Sequence, residues 1–158
     1  MAEIHEVNLP PQILTRGFWL YVWKIAGPKS ENFCYVGMTG DTTGVAQSAF
    51  NRASAHFGFN ENSNQIRKKL VSLGIEPENC KSIQFLVFGP IYPYFHSEPC
   101  HVDFHTCRLK VASLENELWK LCQRNGFVML NKEPHRGSGL DEAVWNGVEQ
   151  AFLDYISS

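Results

Sequence analysis

The chain is expected to be α+β, with a small, mainly antiparallel three-stranded sheet flanked by helices and an added C-terminal helix. Three observations point there. Two β-rich runs in "GFWLYVWKIAGPKSENFCYVGMTGD", residues 17–41, flank one short polar turn. Helical spacing of apolar residues recurs in four later stretches. No repeat, low-complexity tract or linker divides the sequence. At 158 residues and 44% hydrophobic it is long enough for one core and short for two. Residues 1–158 are therefore read as one domain, with an N-terminal arm at 1–17, a core at about 18–132 and a C-terminal helix at about 139–156.

Each element follows from its local pattern. After an extended Pro10-Pro11 lead-in, residues 18–25 and 33–37 read as strands joined by "AGPKSEN", whose Gly27-Pro28 marks a turn. Over 45–57, Ala46, Ala49, Phe50, Ala53 and Phe57 recur at i, i+3, i+4, i+7 and i+11, a helical face. "NSNQIRKKLVSLG" repeats the period with Ile66, Leu70 and Leu73, opens on a capping Asn or Ser and stops at Gly74. "KSIQFLVFGP" is the third strand, closed by Gly89-Pro90. The next stretch, "IYPYFHSEPCHVDFHTC", has no sustained period and reads as irregular up to about residue 103. Helical spacing returns in "RLKVASLENELWKLCQRNG", with Val111, Leu114, Leu118 and Cys122 as its stripe and Gly126 as its stop. In the tail, Val144, Val148, Ala151 and Tyr155 share a face. Its Trp145, Phe152 and Tyr155 read as core in preference to a partner-binding surface.

Composition narrows the functions. The net charge of −2 excludes binding to a polyanion by bulk electrostatics. The charges are nevertheless uneven: residues 52–136 hold eleven Lys and Arg against eight Asp and Glu, and residues 137–158 hold four acids and no base. A polyanion site would therefore be local. Five cysteines, an odd number, with Cys34, Cys80 and Cys122 in apolar segments, read as reduced thiols of a cytoplasmic protein. The N-terminus has no signal-peptide pattern, and no run reaches the ~18 apolar residues of a membrane span, so an intracellular protein with no membrane partner is expected.

Two helices carry groups that suggest chemistry. On the first, Arg52 and His56 stand i and i+4 on one flank of the apolar stripe, where they can address one ligand. Arg offers a permanently charged fork suited to phosphate, and His a proton donor or acceptor near neutral pH. The plain alternative is a solvated polar flank. On the helix of residues 109–123, Glu115 falls inside the apolar stripe, with Glu117 at its edge and Asn116 and Lys120 opposite. A carboxylate there is costly unless it is paired, reaches the rim or binds a cation.

Taken together, Tyr21, "Tyr35-Val36-Gly37", Arg52-x3-His56, "Leu114-Glu115-Asn116-Glu117-Leu118" and Asn131 in "VMLNKEP" follow the order of the GIY-YIG nuclease superfamily. The chain resembles that family over about residues 18–132. The resemblance implies that both tyrosines of the opening hairpin point into an active site. It implies a catalytic set of Tyr21, Tyr35, Arg52, His56, Glu115 and Asn131. Gly37 is the glycine of the second signature, where the chain passes close to the site, and Glu115 is the metal-binding carboxylate. The chain departs from the family at Trp19, which stands where the first signature has glycine. It also departs in "GDTTGVAQS", which lengthens the link from Gly37 to Arg52.

The activity so implied is hydrolysis of DNA phosphodiester bonds with Mg²⁺ or Mn²⁺ at Glu115. Arg52 would clamp a non-bridging oxygen, and Tyr21, Tyr35 or His56 would take the proton of the attacking water. A restriction-type endonuclease acting as a homo-oligomer is favoured by analogy. The alternatives are a structure-specific or repair nuclease, or an inactive nucleic-acid-binding module. Arg67, Lys68 and Lys69 in "IRKKL" are further candidates for DNA contact. His96, Cys100, His101, His105 and Cys107 lie close in sequence, but without a C-x-x-C pair structural zinc is not expected.

Overall fold

One sheet organises the chain in the computed structural model, which describes residues 2–40, 46–93 and 101–157. Its strands are β1 (Gly17–Ala26), β2 (Asn32–Met38), β3 (Ser82–Pro93) and β4 (Val128–Met129), in the order β3-β1-β2-β4. β1 pairs antiparallel with β2 and β3, and β2 pairs parallel with β4. The class is α+β as expected, with a fourth strand added to the expected three. At two residues, β4 is too short to show a sequence period.

The helices are α1 (Ala49–Ser54), α2 (Gln65–Ser72), α3 (His101–Arg124) and α4 (Glu142–Ile156). β1 is central and covered on both faces, which explains its unbroken apolar run in place of strict alternation. On one face, Phe18, Leu20, Val22, Cys34 and Val36 pack against α3 and α4. Cys34 meets Cys122 in this core, and that contact together with burial pushes the Cys34 thiol far above its usual range. Cys34, Cys80, Cys107 and Cys122 are in no disulfide. On the other face, Ile25 and Phe33 pack with Ile66 and Leu70 of α2 and with Leu130. Among the described residues, no helix is long and apolar enough to cross a membrane.

Several boundaries differ from the sequence expectation, each for a local reason. α1 begins at Ala49 because the Ser48 side chain caps it, accepting from Asn51 N, and the helix then tightens into a 3₁₀ turn over Ala55–Phe57. α2 ends at Ser72, before Leu73, which is 54% exposed; Gly74 follows at a φ of 76°. β3 continues to Pro93, and α3 starts at His101, well before the expected start of that helix. On α4 the buried stripe is Trp145, Val148, Phe152 and Ile156, one position on from the expected Val144, Ala151 and Tyr155. Tyr155 is 51% exposed and contributes its carbonyl to Lys24 Nζ.

The short reach of β4 leaves part of the sheet edge uncovered. β4 pairs only with Phe33 and Cys34 of β2. Beyond it, Leu130 N donates to Cys34 O at 2.8 Å. The Asn131 carboxamide then takes over: Nδ2 donates to Val36 O at 2.8 Å, and Oδ1 accepts from Val36 N at 3.3 Å. A side chain thus stands in for one peptide group of a parallel ladder, and the edge of β2 is open from there on. Asn131→Ala should therefore leave both Val36 groups unpaired and cost roughly 1–3 kcal/mol, read as a lower urea midpoint with an unchanged m-value. A loss below about 0.3 kcal/mol would show that water replaces the carboxamide freely.

Candidate active site

Beside the open end of β2 lies a cavity of about 690 Å³. Its floor is Tyr21 of β1 and Tyr35 to Met38 of β2. One wall comes from α1 and its approach, including Gln47, Asn51 and Arg52. The opposite wall is α3, with Arg108, Ala112 and Glu115, and the strap after β4 closes it with Glu133 to Arg136. Residues remote in sequence meet here because a long helix and a short strand both flank β2.

Tyr21 and Gly37 are direct cross-strand partners. A Cβ at Gly37 would overlap the hydroxyl end of the Tyr21 ring, so glycine is required by close approach. The hydroxyl end of the ring thus lies over Gly37 of β2, and Tyr21 is 1% exposed. Its hydroxyl is 2.9 Å from His56 Nε2. The Tyr35 ring also packs on His56, with centroids 4.5 Å apart. Burial, aided by the neighbouring Tyr35, pushes the Tyr21 hydroxyl far above its ordinary pKa. Burial and then Glu115 raise Tyr35 to about 12, against the pull of Arg52.

His56 does not reach the cavity wall. The 3₁₀ turn after α1 rotates it inward, where it is 2% exposed, while Arg52 remains on the exposed flank and lines the cavity. The expectation that the two address one ligand side by side is corrected: Arg52 lines the cavity, and His56 stands behind Tyr21 and Tyr35. Its Nδ1 is buried with no partner among the described residues, and burial, then Arg52, lower its pKa to about 4. It is a neutral imidazole at ordinary pH.

Glu115 is half-buried, and among the described residues it makes no hydrogen bond and no ion pair within 4.0 Å. Burial raises its carboxyl to about 7, against the fields of Arg108, Arg52 and Arg136. The stripe on which it was expected is present: Val111, Leu114, Leu118 and Cys122 are fully buried. Glu115 escapes that core because the open edge of β2 leaves the cavity in front of it. Asn116, expected on the solvent side, instead donates to Glu133 Oε1 at 3.2 Å and to Pro134 O, tying the strap to α3. Lys120 pairs with Glu117 at 2.8 Å.

The cavity thus collects Tyr21, Tyr35, Gly37, Arg52, Glu115 and Asn131, with His56 one step behind. Arg67, Lys68 and Lys69 stand apart from it on α2. Arg67 is held by Glu78 at 2.7 Å and by Phe57 O, and Lys68 donates to Glu61 O. Lys69 alone of the three is exposed with no such bond among the described residues. Of the His and Cys segment, His96 and Cys100 lie outside the described residues, and His105 and Cys107 sit on α3. Sequence reasoning missed Arg108, Glu133 and Arg136. Arg108 was legible in principle, seven residues before Glu115 on one helical face. The strap residues carry no periodic signal.

The α+β domain thus brings a phenol pair, three guanidiniums and two carboxylates together around one cavity. Comparison with protein-family models, with characterised proteins and with solved structures returns no match. The chemistry accordingly rests on this geometry and on the residue pattern.

The pKa shifts set opposite pH dependences. Between about 4 and 6.5 the unfolded chain binds a proton that buried His56 refuses, so its effect is to lower stability as pH falls through that window. Between 4.5 and about 7 folded Glu115 keeps a proton that the unfolded chain has released, so its effect is to lower stability as pH rises. Glu115→Gln should therefore be more stable than wild type at pH 8, by roughly 1–3 kcal/mol, and nearly equal to it at pH 4. Urea midpoints across that range check the sign; a variant less stable at pH 8 would mean the carboxylate is well compensated in the folded state.

Proposed function

We propose that the protein is a metal-dependent endonuclease hydrolysing DNA phosphodiester bonds with GIY-YIG-type chemistry. The observation that carries this reading is the convergence of Tyr21, Tyr35, Arg52 and Glu115 on one cavity from four separate elements. Gly37 and Asn131 support it by holding Tyr21 against β2 and by ending the strand pairing where the cavity begins.

Glu115 suits Mg²⁺ or Mn²⁺. It is a carboxylate without a protein partner among the described residues, it faces an open cavity, and a hard dication that keeps most of its waters needs few protein ligands. Glu133, also on the wall, is engaged by Asn116. When bound, such a cation supplies charge neutralisation at the scissile phosphate. Arg52 holds a non-bridging oxygen with its fork.

Proton transfer runs through the tyrosine and histidine pair. As a water oxygen bonds to phosphorus, its proton passes to Tyr21 Oη, while the Tyr21 proton moves to His56 Nε2; the leaving oxygen departs as the P–O bond breaks and takes a proton from solvent. The raised pKa of Tyr21 disfavours a free phenolate and the lowered pKa of His56 makes it a weak acceptor, so neither transfer precedes the other: both accompany the attack of water, as negative charge grows on the phosphate in the cavity. Tyr35, with its pKa near 12, keeps its proton and orients the water or phosphate as a donor.

Glu115→Gln should abolish cleavage of duplex DNA in Mg²⁺ while retaining most DNA affinity, with Glu117→Gln as an active control. Tyr21→Phe should slow single-turnover cleavage by about 10²- to 10⁴-fold, and adding His56→Ala should cost little more, because the two act as one unit. Wild-type cutting by Glu115→Gln would sink the metal assignment, and a near-normal rate for Tyr21→Phe would sink the relay.

A further inference from the structure

The cavity carries two guanidiniums that the proposed hydrolysis does not use. Arg108 and Glu115 are seven residues apart on α3 with Ala112 between them, so the three share one helical face and line the cavity together. No ion pair within 4.0 Å joins Arg108 to an acid among the described residues. Its Nε is buried and has no hydrogen-bond partner among the described residues. A buried cationic N–H without an acceptor is costly, and the residue that carries it lines the cavity, where its guanidinium can meet an incoming anion.

Arg136 comes from the strap, and its place is set from both sides. Before it, Asn116 binds the Pro134 carbonyl and the Glu133 carboxylate. After it, the chain lies so close to α3 that a Cβ at Gly137 would overlap the backbone of Ser113, and Ser138 N donates to Leu109 O at 3.1 Å. The strap is thus pinned to α3 on either side of the arginine that it presents to the cavity. With Arg52, three guanidiniums face the two carboxylates Glu115 and Glu133, leaving the cavity net positive before any cation enters. A single phosphate clamped by Arg52 does not use that charge.

We propose that Arg108 and Arg136 form a second phosphate subsite, which holds the phosphate adjacent to the scissile one on the same DNA strand. The inference rests on the nuclease reading and adds to it a fixed path for the strand across the cavity. Two phosphates held on opposite walls set the strand's direction and bring the scissile bond up to Tyr21 and Glu115 in one orientation. Arg108 and Arg136 are positioning residues in this scheme.

The test pairs protein variants with DNA in which one phosphate at a time is a neutral methylphosphonate, under single-turnover conditions in Mg²⁺. Wild type should lose about tenfold or more in half-saturating concentration when one phosphate next to the cleaved bond is neutralised. The Arg108→Gln, Arg136→Gln double variant should bind unmodified DNA more weakly and show no further loss at that position. In a Glu115→Gln background, the same two substitutions should reduce the slope of log affinity against log salt by about 1, one phosphate contact. Arg136→Gln alone, at an exposed residue, should move both readouts in the same direction. Undiminished sensitivity of the double variant at every flanking phosphate, or an unchanged salt slope, overturns the subsite alone. A wild-type protein that cuts no DNA overturns the nuclease reading, and the subsite with it.

Discussion

The phenol of Tyr21 lies across Gly37 of the neighbouring strand, and most of the site depends on that one contact. Because residue 37 has no side chain to occupy the same space, the hydroxyl end of the ring can lie over it and reach His56 at 2.9 Å. That reach fixes the hydroxyl at the edge of the cavity and sets His56 behind it, out of reach of a ligand. The Tyr35 ring packs on the same imidazole and completes a buried aromatic floor. Trp19 stands within β1 where the pairing with β3 shifts register, between Phe18 opposite Tyr92 and Leu20 opposite Phe88. Its backbone N–H donates to Thr39 Oγ1, and its indole N–H donates to Thr15 O.

A second constraint concerns where pairing stops. A longer β4 would cover the whole edge of β2 and fill the space that the cavity occupies. Instead the ladder ends in a side-chain imitation of a peptide at Asn131, and the chain turns away as a strap tied to α3. The backbone carbonyl of Asn131 also accepts from Trp119 Nε1 at 3.1 Å, so the same residue joins β2 to the main core. Structure and candidate chemistry meet there: an unpaired strand edge, ordinarily a liability, becomes one side of a polar pocket.

The electrostatics carry a stability cost consistent with a functional site. Glu115 is a half-buried acid without a partner among the described residues, His56 a buried base that resists protonation, and Arg108 a guanidinium with an orphaned N–H. Each is unfavourable by itself, and each faces or adjoins the same cavity. The surface pair Arg67 and Glu78 is satisfied and ordinary by comparison. Clustering of such groups at one place supports the proposed hydrolytic role beside the convergence of side chains on the cavity.

The α+β class, the first three strands, the helices and the stripe on α3 were legible in the sequence, because period, turn residues and spacing are local properties of the chain; helical spacing also singled out Arg52 and Glu115, whereas Tyr21 and Tyr35 came from the family resemblance. The placement of Arg67 to Lys69 away from the cavity was not legible, since it depends on Glu78, Glu61 and Phe57, which come from other segments. Nor was the inward turn of His56: a 3₁₀ turn replaces the last turn of helix and rotates that side chain, though i and i+4 spacing promises otherwise. The fourth strand was too short to carry a pattern, and the strap's course depends on hydrogen bonds from Asn116 and on the contact at Gly137. Tertiary structure decided these points because each depends on the distance between segments far apart in sequence, a quantity that no local pattern contains.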